Sequence, residues 1–463
     1  LGEQRRAPDE YEIHDHLRRS EETVTDSSQS NPSRREFLGA TAIAATGTML
    51  GATAKPRVDN GLAQKPSEMP PAIAALKSMR DQAKPITNDE RKGRIEKAKQ
   101  LMKANGIDVL LLCGGTSMEY FTGIRWGLSE RLLAAIIPVT GSAFLVTPKF
   151  EEERALEQAR NGPLGQDTDV YAWEEDESPY ALIAKGLRAR SLSTATIGAE
   201  ETVRFVFADG AAHLPGVKVV SGTPVAAGCR TVKDAHEIAL MRLASQVTLK
   251  AYEAAWKSLK EGMTQNDFAT LVQLAHKQLG FDGSAGVQVG KFSALPHGSA
   301  TPQVVREGSI LLMDGGCKVE GYSSDLSRTF VLGKPTQRMK DVFEIEHRAQ
   351  STAVKTARPG LPCEVVDAAA RKVITDAGFG PDYKYFSHRV GHGMGMDGHE
   401  WPYLVRGNTL PLRPGMVFSD EPGIYIPGEF GIRLEDDMVI TESGAELFTP
   451  QSPSLEKPFG PPH

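Results

Sequence analysis

The chain has 463 residues, 40% hydrophobic and 24% charged, with a formal net charge of −6. That length suits two domains and a core large enough to need no disulfide framework. The acid excess, with no lysine-rich block, excludes a basic nucleic-acid-binding face. No run of ~18 apolar residues offers a membrane-spanning helix. Cys113, Cys229, Cys317 and Cys363 lie far apart, with no CxxC or zinc-finger spacing.

The chain opens on a polar segment, then Arg34-Arg35-Glu36-Phe37-Leu38 and a small-residue apolar run ending at Ala54. Those are the parts of a twin-arginine export signal over residues 1–54, which points to the periplasm or cell exterior. Residues 55–86, rich in Pro, Ala and Lys, read as a linker. Asn88-Asp89 starts a helix that runs to Ala104 and stops at Asn105-Gly106. Strand patterns at 108–113, 131–139 and 142–147, then alternating helices and strands, predict an α/β domain over 87–227. The second domain, 228–463, opens with a long helix over 235–259 and then repeats itself. Helical stretches lie between Gly262 and Gly280 and between Gly360 and Gly378, an offset of 18 in both cases.

Glycine-rich hairpin patterns follow each stretch. Folding the first at Val319-Glu320 sets Asp314 opposite Asp325 on one face. Folding the second at Gly428 sets Glu421 opposite Glu435, with irregular pairing at Pro422 because it lacks an N–H. Directly opposed like charges destabilise a sheet unless a cation lies between them. Of the histidines, His392 stands between two glycines, which let the backbone approach a site closely. Two divalent ions balance Asp314, Asp325, Glu421 and Glu435, and one neutral imidazole completes the set. An oxygen-rich set with one nitrogen favours Mn, Fe, Co or Zn. Two ions ~3.5–4 Å apart share a water and lower its pKa.

Asp314, Asp325, His392, Glu421 and Glu435, in that order, resemble the five metal ligands of the pita-bread M24 metallopeptidases. The 11-residue spacing of the aspartates and the seven-residue spacing from His392 to His399 match that pattern. Segments 416–425 and 430–436 are most similar to the Xaa-Pro branch, prolidase and aminopeptidase P. Segment 120–131 resembles the amino-terminal domain shared with creatinase. The resemblance implies an α/β creatinase-like domain before an α+β pita-bread domain with an internal pseudo-two-fold duplication. It implies a dinuclear hydrolase of Xaa-Pro bonds, in dipeptides or at peptide N-termini, with manganese foremost among the ions, working as a homodimer or higher oligomer.

Residue by residue, the resemblance implies that Asp314 chelates one ion, Asp325 and Glu435 bridge both, and His392 and Glu421 bind the other. Glu421 would also carry the proton from water to the leaving nitrogen. His297 and His399 would contact the substrate and the tetrahedral intermediate. His388, Arg406 and Arg433 form the substrate side, with Arg433 holding ligand carboxylates and Arg406 matching the segment that clamps a substrate carboxylate. Two rival readings keep the fold: a metal-dependent hydrolase or lyase of a small non-peptide compound, and a non-catalytic binding module. Relatives of the second kind lose ligands, whereas all five positions are filled here.

Overall fold

The structure is a computed structural model describing residues 69–460. The export signal and residues 55–68 of the expected linker lie outside the described residues. Residues 69–86 are not a free linker but carry a short helix, Pro71–Ala74, and bury Ile73, Met79 and Ile86 in the core. The helix Asn88–Ala104 forms as expected, but its cap is Thr87. The Thr87 hydroxyl accepts from the Glu90 N–H, and the Glu90 carboxylate accepts from the Thr87 N–H. This reciprocal box satisfies two N–H groups that a helix start leaves open, which Asn88, already inside the helix, does not do.

Six strands build the amino-terminal sheet: β1 (Val109–Cys113), β2 (Ala134–Pro138), β3 (Phe144–Pro148), β4 (Asp169–Trp173), β5 (Ala195–Ala199) and β6 (Val217–Ser221). Their spatial order is β4-β3-β2-β1-β5-β6. The β1–β2 and β2–β3 pairs are antiparallel, while β4, β5 and β6 join in parallel. Central strand β1 is buried on both faces, which explains its unbroken apolar run. Leu110 and Leu112 enter a core continuous with the second domain; Val109 and Leu111 enter another with Ile183 and Phe207.

In the second domain, helices Ala235–Trp256 and Gln265–Leu279 precede β7 (Gly283–Val289), β8 (Ile310–Val319), β9 (Tyr322–Ser323) and β10 (Leu326–Val331). Helices Gln337–Thr356 and Cys363–Asp376 precede β11 (Gly391–Gly393), β12 (Glu400–Leu404), β13 (Val417–Asp420), β14 (Gly423–Ile426), β15 (Phe430–Arg433), β16 (Asp436–Ile440) and β17 (Ala445–Leu447). One sheet runs β10-β8-β7 and the other β12-β11-β13-β16-β17. The order β10-β8-β7 answers β16-β13-β11, each behind its own helix pair, so the duplication is structural. Among the described residues an isolated β-bridge, Ser327 to Glu435, pairs the backbones of the two halves. The four cysteines are buried and free. Among the described residues, no helix is long and apolar enough to cross a membrane.

His276 lies buried behind β7. Its Nδ1–H donates to the Val272 carbonyl at 2.9 Å, and Nε2 faces the Thr248 hydroxyl at 3.3 Å. Burial, opposed by the Val272 bond, lowers its pKa from 6.5 to about 4. The folded chain therefore keeps the ring neutral where the unfolded chain protonates it. Its contribution to stability is whole above pH 6.5 and is lost as pH falls towards about 4, by about 3 kcal/mol. Thermal melts of wild type and His276→Gln between those limits should differ in slope by close to one proton. Parallel curves would show that His276 takes no part.

Candidate metal centre

The first hairpin turns at Glu320-Gly321, with φ of 49° and 89°. A tight two-residue turn of this hand needs positive φ at both positions, and Gly321 supplies one without strain. Val319 then pairs with Tyr322, and Asp314 with Ser327 rather than Asp325. The expected register is thus shifted by two residues. A two-residue shift keeps the face, so Asp325 sits diagonally across from Asp314 on the same side of the sheet. The second hairpin keeps the expected register: Gly423 pairs with Arg433 and Asp420 with Asp436, which sets Glu421 against Glu435. Strand pairing lapses at Glu421-Pro422, between β13 and β14, as the missing proline N–H requires.

His392 is carried on β11, squeezed between β12 and β13. A Cβ on Gly391 would lie 2.1 Å from the Ser419 carbonyl oxygen, and one on Gly393 2.6 Å from that of Glu400. Only glycines admit that approach. Ligand atoms of Asp314, Asp325 and Glu435 lie within 4.8 Å of one another, and so do those of His392, Glu421 and Glu435. A third group joins Asp325, His392 and His399. Glu435 is common to the first two groups, and Asp325 to the first and third. His392 Nε2 stands 3.3 Å from Glu421 Oε1 and 3.8 Å from Asp325 Oδ2.

The electrostatics fit a divalent pair. Burial, and then the neighbouring carboxylates, push Asp325 and Glu435 well above the ordinary acid range. Burial also works against the Glu421 charge, but the His392 hydrogen bond and the charges of His388, His392 and Arg433 hold it down at about 2. Closely set buried acids that repel one another are relieved by cations between them, and four acids with one imidazole match two divalent ions. An open cavity of about 570 Å³, lined by Asp325, Gly315, Gly316, Lys277 and Lys318, reaches this edge of the centre.

Several supporting residues escaped the sequence reading. The Ser327 hydroxyl lies 3.1 Å from Asp314 and 2.7 Å from Glu435. Its place two residues after Asp325, on the same strand face, was the available signal. Ser419 Oγ contacts Glu421 at 3.2 Å and accepts from the His392 N–H at 3.0 Å. Asp437 accepts from the Asp325 N–H. Arg230 pins the loop bearing His399 by bonding Asp397 and Glu400 at its two sides. Nothing local in the sequence marks Arg230, which ends the helix Thr223–Arg230.

The remaining candidates divide. Arg433 is buried and donates to Asp314 at 2.6 Å, Ser327 at 3.0 Å, Tyr425 at 2.9 Å and the Pro296 carbonyl at 3.2 Å. It therefore holds a ligand carboxylate and is not open to substrate. His388 meets the Tyr425 hydroxyl at 2.8 Å, one step further along that chain. The ring of His399 stacks on His392 with centroids 3.7 Å apart. Burial and then the charge of His392 lower its pKa to about 4. His297 stands exposed in the turn whose Pro296 meets Arg433, outside the three ligand groups. Arg406 does not face the centre as a clamp. It is exposed, paired with exposed Asp382 at 2.9 Å and lying over Tyr383. Arg389, by contrast, reaches His399 Nδ1 at 3.3 Å.

Comparison with known proteins agrees with this geometry. Residues 239–442 match the metallopeptidase family M24, and residues 94–232 match the creatinase/prolidase N-terminal domain. The chain is 33% identical over 371 residues to a Xaa-Pro dipeptidase of Lactobacillus delbrueckii subsp. lactis, spanning 78% of this chain and 98% of that protein. The fold superposes on dipeptidase PepE from Mycobacterium ulcerans with a TM-score of 0.75 at 32% identity, over 81% of this chain and 99% of the other. It is similar also to an X-Pro aminopeptidase from Thermotoga maritima, with a TM-score of 0.68 at 28% identity over 78% of this chain and 99% of the other. With two domains matched in order, a relative aligned nearly end to end, and an acid and histidine cluster at the join of the duplicated halves, the chain belongs to metallopeptidase family M24.

Proposed function

We propose that this protein hydrolyses the peptide bond before proline, in dipeptides or at peptide N-termini, using two divalent ions, with manganese the first choice. The observation that carries the reading is the pair of three-residue ligand groups sharing Glu435. The Lactobacillus relative, a Xaa-Pro dipeptidase, and the Thermotoga neighbour, an X-Pro aminopeptidase, support the same bond and leave both substrate lengths open.

Asp314, Asp325, His392, Glu421 and Glu435 would hold the ions. When bound, such ions supply Lewis acidity and make water a nucleophile near neutral pH. Glu421, ionised at neutral pH and backed by Ser419, takes the proton from the attacking water and delivers it to the proline nitrogen. His399 meets the carbonyl oxygen as negative charge develops there. Arg433, through Tyr425 and Ser327, keeps Asp314 in place while this happens. His297, on its exposed turn, reaches substrate rather than ions. A proline nitrogen carries no N–H in the peptide and leaves as a secondary amine, so the proton from Glu421 is essential to its departure. Export of the folded, metal-loaded chain through the signal at 1–54 and assembly as a homodimer or higher homo-oligomer belong to the same proposal.

The test uses purified chain loaded with Mn²⁺ and assayed on Xaa-Pro dipeptides, Xaa-Pro-led tripeptides and matched peptides with alanine in place of proline. Cleavage confined to the proline series is expected. Absence of cleavage in both proline sets after full loading rejects the proposal.

A further inference from the structure

The side of the centre that carries His399 is built as a ladder. His399 stacks on His392 with planes 24° apart, and its Nδ1 lies 3.3 Å from Nη2 of Arg389. The Arg389 guanidinium rests over the Tyr403 ring, 4.0 Å from its centroid. Tyr403 packs on Trp401, with centroids 4.6 Å apart. Arg389 is therefore held between a ring face and an imidazole nitrogen.

A guanidinium has five donors and no acceptor. The His399 nitrogen that faces it must be the acceptor, so in the neutral ring the proton sits on Nε2. His388 is held the other way: its Nδ1 donates to the Arg389 carbonyl at 2.8 Å, leaving Nε2 to accept from Tyr425. His388 and His399 thus carry opposite tautomers. We infer that Arg389 is a positioning residue that locks His399 in the Nε2–H tautomer, so that His399 acts on substrate as a hydrogen-bond donor and not as a base. The catalytic consequence rests on the Xaa-Pro reading above; the tautomer does not. A donor is what a carbonyl oxygen gaining negative charge requires, and a ring free to exchange tautomers would present it only part of the time.

The test compares Arg389→Met, which removes the donor and keeps an apolar stem over Tyr403, with Arg389→Lys, which keeps a donor of similar reach. Arg389→Met should retain wild-type metal content and KM while kcat falls on the order of 10- to 100-fold. Arg389→Lys should recover most of that loss. In a His399→Phe background, Arg389→Met should cost nothing further, because its effect passes through the imidazole. Nitrogen-15 histidine spectra of the metal-free chain should show His399 as Nε2–H in wild type and as a tautomer mixture in Arg389→Met. An Nδ1–H signal in wild type, or losses from Arg389→Met and His399→Phe that multiply, overturns the inference. If wild type itself fails on every proline substrate, the functional proposal falls and the spectra alone decide the tautomer.

Discussion

Replacing Glu435 with glutamine should leave the chain with fewer than two bound ions and with turnover below about a thousandth of wild type. Glu435 belongs to both principal ligand groups, so its loss weakens both positions together. The stability effect should change sign with metal. In the metal-free chain, burial and then Asp325, Glu421 and Asp314 oppose the Glu435 charge. A neutral amide removes that repulsion and still accepts from Ser327, whose hydroxyl now bonds the carboxylate at 2.7 Å. Metal-free Glu435→Gln should therefore melt above metal-free wild type, by roughly 2–4 °C for each kcal/mol of relieved repulsion. With Mn²⁺ present, wild type should melt higher, because only it gains the full binding energy. Elemental analysis with calorimetry in chelator and in Mn²⁺ decides the matter. A variant that binds two ions, or melts in the wild-type order in both conditions, contradicts the shared-ligand geometry.

Arg433 should give the second large effect. Its side chain is buried and spends three nitrogens on Asp314, Ser327, Tyr425 and Pro296. Arg433→Met leaves Asp314 without its cation and Tyr425 without a donor, at a cost of about 3–5 kcal/mol. Arg433→Lys is no conservative change here, since one ammonium cannot reproduce a planar fork that reaches four partners. It should keep most of the stability and lose on the order of 100-fold in activity as Asp314 loosens. Urea denaturation and turnover on a Xaa-Pro dipeptide measure the two terms. A methionine variant within about 1 kcal/mol of wild type would show that the fork is not structural.

The hairpins show how far sequence reading reached. Gly428, with φ of 81°, marks the second turn directly, and the register read from it agrees with the pairing. The first turn takes Glu320 as well as Gly321 into positive φ, a cost that only the closed hairpin reveals. The error was two residues, an even number, so the acids stayed on the correct face. Arg406 lies in the segment that suits a clamp, but a segment's position does not fix where a side chain points, and Arg406 pairs with exposed Asp382. Arg389 offered no composition cue, because its role comes from the Tyr403 face beneath it and the ring nitrogen ahead of it.

The sequence by itself determined which residue types could cage cations, that alternate positions put them on one face, and that the domain is duplicated. These are local properties, set by the two-residue period of a strand and the glycine spacing. Only the tertiary structure decided that Ser327 bridges to Glu435, 108 residues away, and that Arg433 reaches Asp314 across 119. Such contacts depend on how the two halves of the duplicated domain pack together around a shared core, and no short-range pattern encodes that distance.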